Sequence, residues 1–113
     1  MHELSVAQEI IRIVRDEQLR HGFQKVNLIR LKAGGFSCIN HRSLSFAFQV
    51  VREGTCASKA ELDLESEPIK MVCRRCGFTA NVTDASSSCP RCRSIDIALE
   101  GDSHFEIVDM EVD

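Results

Sequence analysis

The chain has 113 residues, 43% of them hydrophobic, with six cysteines, six phenylalanines and neither Trp nor Tyr. Such a length supports one domain, or one domain carrying a small insert. A formal charge of −3 provides no overall basic field for nucleic acid or anionic lipid, and no apolar run approaches the roughly 20 residues that cross a bilayer. Charges at Glu3, Glu9 and Arg12 leave no signal-peptide core, so a cytoplasmic protein is expected.

Residues 5–21 predict a helix. Ser5 and Gln8 have the spacing of a capping box, and Leu4, Ala7, Ile10, Ile11 and Val14 recur at helical intervals. Gly22 stands where a C′ residue belongs. The stretch KVNLIRLK at 25–32 predicts a strand whose apolar phase changes midway, because both faces are partly covered or because it bulges. After a turn at Gly34 and Gly35, a second helix is predicted over about 41–53, with Asn40 as N-cap and Gly54 as stop. Its buried stripe would be Leu44, Ala47, Phe48 and Val51.

AELDLES at 60–66 alternates cleanly, setting Glu61, Asp63 and Glu65 on a wet acidic face. That face is expected to be solvated, with partner docking as the less favoured role. Residues 69–97 are rich in Cys, Arg and Ser and poor in large apolar groups, and HFEIVDMEV from 104 gives a last strand. The expected fold is α+β, a small three-stranded sheet with two helices and an inserted four-cysteine module of short β-hairpins. The core would span 1–68 plus 98–113 and the insert 69–97, with the last strand returning to the first sheet.

VCRRCGF and SCPRCRS each carry C-x-x-C, twelve residues apart. Paired sulfurs on two facing turns suit Zn²⁺, which favours tetrahedral thiolate coordination. Cys73, Cys76, Cys89 and Cys92 would fill that sphere, leaving no open position for water, so a structural site is expected. Arg74, Arg75, Arg91 and Arg93 can offset its negative charge. In a cytosolic chain this pattern outweighs disulfides.

The opening MHE is ambiguous on its own, since chain ends commonly fray as solvated polar residues. Its chemistry is suggestive nevertheless. The amine of Met1, the backbone nitrogen and imidazole of His2 and the backbone nitrogen of Glu3 could surround one ion in a plane. That arrangement suits Ni²⁺ or Cu²⁺ better than Zn²⁺.

Several motifs occur together: MHELS, RHGF around position 21, G-x-x-S from Gly34 to Ser37, L-x-F-A-F from Leu44 to Phe48, EGT at 53–55 and A-x-L at 60–62. The two Cys pairs and a terminal β-run follow. In this order they resemble the HypA/HybF family of nickel metallochaperones in [NiFe]-hydrogenase maturation, over essentially the whole chain. The resemblance implies a nickel site at Met1, His2 and Glu3, with His2 essential, and a structural zinc on the four paired cysteines. It further implies a non-enzymatic carrier whose cargo is Ni²⁺. Its partners would be a GTPase accessory protein and the hydrogenase large-subunit precursor, with urease maturation proteins as further candidates. Where similar sequences carry a small residue, an acid and a proline around 38–41, this chain has Cys38, Asn40 and His41, which puts a partner surface there in question.

Cys38 and Cys56 are expected to be small buried or half-buried thiols, and His21 to interact with its helix C-terminus. His41 and His104 would join the nickel site only if the fold brought them there. Two rivals remain at this point: a zinc-ribbon nucleic-acid binder using Lys70 and the four arginines, and a zinc adaptor in which MHE is idle.

Overall fold

A computed structural model describes residues 3–82 and 88–113. In chain order the elements are α1 (Glu3–His21), β1 (Val26–Ala33), α2 (His41–Val51), β2 (Glu61–Ser66), β3 (Ile69–Cys73), β4 (Thr79–Val82), β5 (Ile97–Glu100) and β6 (Phe105–Val112). The chain divides into two compact units. One holds the residues up to Lys32 with Cys38–Glu65 and Glu106–Asp113, the other Ala33–Ser37 with Ser66–Phe105.

The first unit is built on a sheet in the order β2-β1-β6, so the last strand does return to the first sheet. β1 is central and buries Val26, Ile29, Leu31 and Ala33. The odd step between Val26 and Ile29 is the phase change seen in the sequence, and it puts buried side chains on both faces. The amide of Asp113 donates to Lys25 O at 2.8 Å, and that of Gln24 to Asp113 O at 2.8 Å, closing one end of the β1–β6 pair. Arg30 spans the same pair, donating to Asp109 at 2.8 Å and Glu111 at 3.1 Å. Both helices bury one stripe, Ala7, Ile10, Ile11 and Val14 from α1 and Leu44, Ala47 and Phe48 from α2.

The helix ends follow local chemistry, with one correction. Asn40 caps α2 as expected, its side chain accepting from Ser43 N at 2.9 Å. Gly22 ends α1, its amide donating to Gln18 O at 2.8 Å. Ser5, in contrast, lies inside α1 and cannot be its N-cap, because the helix already begins at Glu3. Glu and Leu at positions 3 and 4 are good helix formers and carry the helix back past the serine. Leu4 is 52% exposed and falls outside the buried stripe, whose centre lies on the far side of Ala7 and Ile11.

The second unit is a sheet in the order β4-β3-β5. Both pairings are antiparallel, with Met71 opposite Ala80 on one side and Leu99 on the other. Ala33, Ile69, Met71, Cys73 and Cys89 are its buried apolar groups among the described residues, a small core for forty-odd residues. Gly34 lets three segments meet closely here. Its amide donates to His104 O and that of Phe36 to Asp102 O, both at 2.8 Å, and a Cβ on Gly34 would lie 2.2 Å from Asp102 O.

Candidate metal centre

β3 ends at Cys73, and the chain turns at once through Arg74, Arg75 and Cys76. The amide of Cys73 donates to Phe78 O at 2.8 Å, and that of Gly77 back to Cys73 O at 3.0 Å. The second turn repeats the pattern. Cys89 N donates to Ser94 O at 2.8 Å and Arg93 N to Cys89 O at 2.7 Å. Backbone amides also point at sulfur, from Cys76 to Cys73 Sγ at 3.4 Å and from Arg91 and Cys92 to Cys89 Sγ at 3.4 and 3.5 Å.

These two turns bring all four sulfurs within 4.8 Å of one another. Cys73 Sγ lies 3.6 Å from Cys92 Sγ, and Cys76 Sγ 3.7 Å from Cys89 Sγ. A tetrahedron of sulfurs about 2.3 Å from a central ion has edges of about 3.8 Å, whereas a disulfide needs about 2.05 Å. The spacing is that of a metal site. Cys73 and Cys89 are buried, Cys76 and Cys92 exposed. Among the described residues it is the sole group of three or more ligating side chains with such spacing.

The electrostatics agree. The amide of Cys76 hydrogen-bonded to Cys73 draws that thiol down to about 6. An amide contact from Phe78 acts to lower Cys76 as well, but burial and the adjoining sulfurs of Cys73, Cys92 and Cys89 push it up to about 11. Four sulfurs so close cannot all shed their protons unless a cation joins them. The flanking arginines are exposed. Arg74 pairs with Asp96 at 3.2 Å.

The family described as "Hydrogenase/urease nickel incorporation, metallochaperone, hypA" matches residues 1–112. The chain belongs to the HypA family. It is 38% identical over 112 residues to a hydrogenase maturation factor HypA of Cereibacter sphaeroides, covering 99% of each chain. To the factor of the same name from Syntrophus aciditrophicus it is 34% identical over 114 residues, covering both chains fully. The solution structure of the Ni metallochaperone HypA from Helicobacter pylori has the same fold. The TM-score is 0.64 at 21% identity, covering 99% of this chain and 97% of that one.

HypA proteins are nickel-incorporation metallochaperones rather than enzymes, and the α+β fold with its four-cysteine group is the expected one. That membership displaces the adaptor and nucleic-acid readings. No helix of the described residues is long and apolar enough to cross a membrane.

Of the N-terminal trio, Met1 and His2 lie outside the described residues. Glu3 opens α1, and its Oε2 accepts from the backbone amide of Asn40 at 3.2 Å. The first residue of α1 is thereby tied to the cap of α2, a contact that the sequence could not announce across 37 positions. Asparagine at 40 caps α2 through its side-chain oxygen, as an aspartate could. His21 pairs with Glu17 at 3.1 Å. His104 lies between Asp102, 3.0 Å from Nδ1, and Glu67, 3.9 Å from Nε2. Cys56 is half-buried, but Cys38 is exposed, contrary to expectation. It sits in the loop before α2 with a left-handed backbone, φ 58.

Proposed function

We propose that this HypA-family chain binds Ni²⁺ through Met1, His2 and Glu3 and holds a structural Zn²⁺ on Cys73, Cys76, Cys89 and Cys92. Family membership over residues 1–112 carries the reading. Zinc is assigned to the cysteines because it is stable in a closed four-thiolate sphere and brings no redox chemistry. A closed sphere holds its ion. It supports the second unit and does not release cargo.

Nickel needs the opposite. An amine, an imidazole and two backbone nitrogens offer in-plane donors from a single short segment, open above and below to an incoming ligand. The carboxylate of Glu3 is engaged by Asn40 N at 3.2 Å, which fits a role for Glu3 through its backbone nitrogen. Transfer would proceed by exchange of these donors for those of the recipient. The recipient is the precursor of the hydrogenase large subunit, with a GTPase accessory protein as the working partner in the cytoplasm and urease maturation proteins as a second outlet.

The test is a Ni²⁺ titration of the zinc-loaded protein beside His2→Ala and a form with one residue added before Met1. One site per chain with a planar low-spin absorption, lost in both variants, is expected. Retention of that site in both variants would place nickel elsewhere and overturn the assignment.

A further inference from the structure

A groove of about 480 Å³ opens on the first unit where α1 and α2 pack side by side, lined by Gln8, Ile11, Arg12, Arg15 and Asp16 of α1 and Val51 of α2. On α1, Leu4, Gln8, Ile11, Arg15 and Leu19 succeed one another by three or four residues and so share one row. On α2, Phe46 and Val50 are one turn apart and flank Ala47 and Val51 on the same side. Four of these large apolar residues are exposed, Leu4 by 52%, Leu19 by 86%, Phe46 by 70% and Val50 by 58%. Scattered apolar residues on a surface require no explanation, but exposed ones that continue the helix rows on either side of a groove do.

The charges at the groove are also selective. Arg12 is held on its own helix by Glu9 and by Asp16, the latter at 3.0 Å. Arg15, one turn further along the row, makes no ion pair or hydrogen bond among the described residues. The groove therefore sets one uncommitted cation, Arg15, beside the apolar Ile11 and Val51 and the mutually paired Arg12 and Asp16.

We infer that this groove receives an amphipathic helix of a partner protein, with apolar side chains between α1 and α2 and a carboxylate facing Arg15. Grooves between helices are read by side chains at i, i+3 or i+4 and i+7. The row from Leu4 to Leu19 is about 22 Å long at about 1.5 Å per residue, the length of about four helical turns. A second copy fits less well. Laying the same row antiparallel on itself sets Leu19 against Leu4 but Arg15 against Gln8, which leaves the cation unpaired. The inference does not depend on the nickel assignment, since no proposed ligand lines the groove.

Two labelled 18-residue helical peptides test it by fluorescence anisotropy on the full chain, zinc-loaded and without nickel. Both carry leucines at heptad a and d positions, one with Glu and the other with Lys at the flanking positions. The acidic peptide is expected to bind at least tenfold more tightly than the basic one. Arg15→Glu should invert that preference. Val50→Asp, at an already exposed position, should weaken binding at least tenfold, while Ile95→Asp in the second unit should not change it. Equal affinity for the two peptides, or no binding of either, overturns the proposal. So does a dimer in light scattering that Val50→Asp dissolves, because the occupant would then be a second copy.

Discussion

Gly77 and Arg93 occupy the same position in the two cysteine turns, each following the second cysteine of its pair, and both have left-handed backbones, with φ of 78 and 63. Each amide closes its turn onto the carbonyl of the first cysteine. The turn demands this conformation, and glycine meets it without a Cβ penalty whereas arginine does not. Gly77→Ala should therefore lower stability by about 1 kcal/mol. Arg93→Gly should cost nothing, since the exposed guanidinium gives way to a residue that fits the backbone better. Chemical denaturation of the zinc-loaded variants measures both, and a loss in Arg93→Gly matching that in Gly77→Ala would refute the equivalence.

Removal of the metal should act on one unit alone. Among the described residues the apolar groups that the second unit buries are Ala33, Ile69, Met71, Cys73 and Cys89, and two of these five belong to the four-sulfur group. Without an ion the close sulfurs repel as they ionise, and little else holds the turns. The first unit has its own stripe of aliphatic side chains around Ile29, Leu31, Leu44 and Phe48. Chelation is expected to collapse the amide NMR signals of 69–100 while those of α1 and α2 stay dispersed. The same pattern should follow Cys73→Ser. Loss of both sets of signals together would mean that the units are not independently stable.

Much of this arrangement was legible where the signal is local. Asn40 and Gly54 mark α2 through backbone chemistry within a few residues, and the cysteine spacing alone specifies two facing turns. The failures share a different cause. Ser5 and Gln8 look alike as a capping box or as two positions inside a helix, and only the continuation to Glu3 decides. Leu4 fits the apolar period yet lies on the groove side, since a period does not define where the buried arc ends. The bond from Asn40 to Glu3 and the passage of Gly34 beside Asp102 join residues far apart in the chain, and no window of sequence contains both partners. Arg93 hid its conformation because the residue type argued against it.

The passage at Gly34 makes a sharp prediction. A methyl group there would meet Asp102 O at 2.2 Å and its carbonyl carbon at 2.5 Å, both backbone atoms that are fixed by the bond from Phe36 N at 2.8 Å. No side-chain rotation can relieve that contact, so Gly34→Ala should destabilise by at least about 2 kcal/mol. Faster hydrogen exchange at the amides of Phe36 and Glu67, which bonds Ala33 O at 2.8 Å, should accompany the loss. Unchanged exchange at both amides would show that the segments absorb the methyl group without parting, and would refute the prediction.

Acidification should loosen α1 through Glu9. Hydrogen bonds from Arg12, at 3.0 Å from Nε to both carboxylate oxygens, hold the Glu9 carboxyl below the ordinary carboxylate range; desolvation opposes them, and the charge of Arg12 adds a lesser lowering. A folded-state value below the unfolded one means that the pair stabilises the fold above about pH 4.3 and that the contribution vanishes as pH falls through the folded value. The pair is exposed, so salt should weaken it. A carbon-13 titration of the Glu9 carboxyl should give a midpoint below the usual glutamate value, and Arg12→Gln should bring it back. An ordinary midpoint in the parent would mean that Arg12 is not held by Glu9 and is left to Asp16 alone, at 3.0 Å.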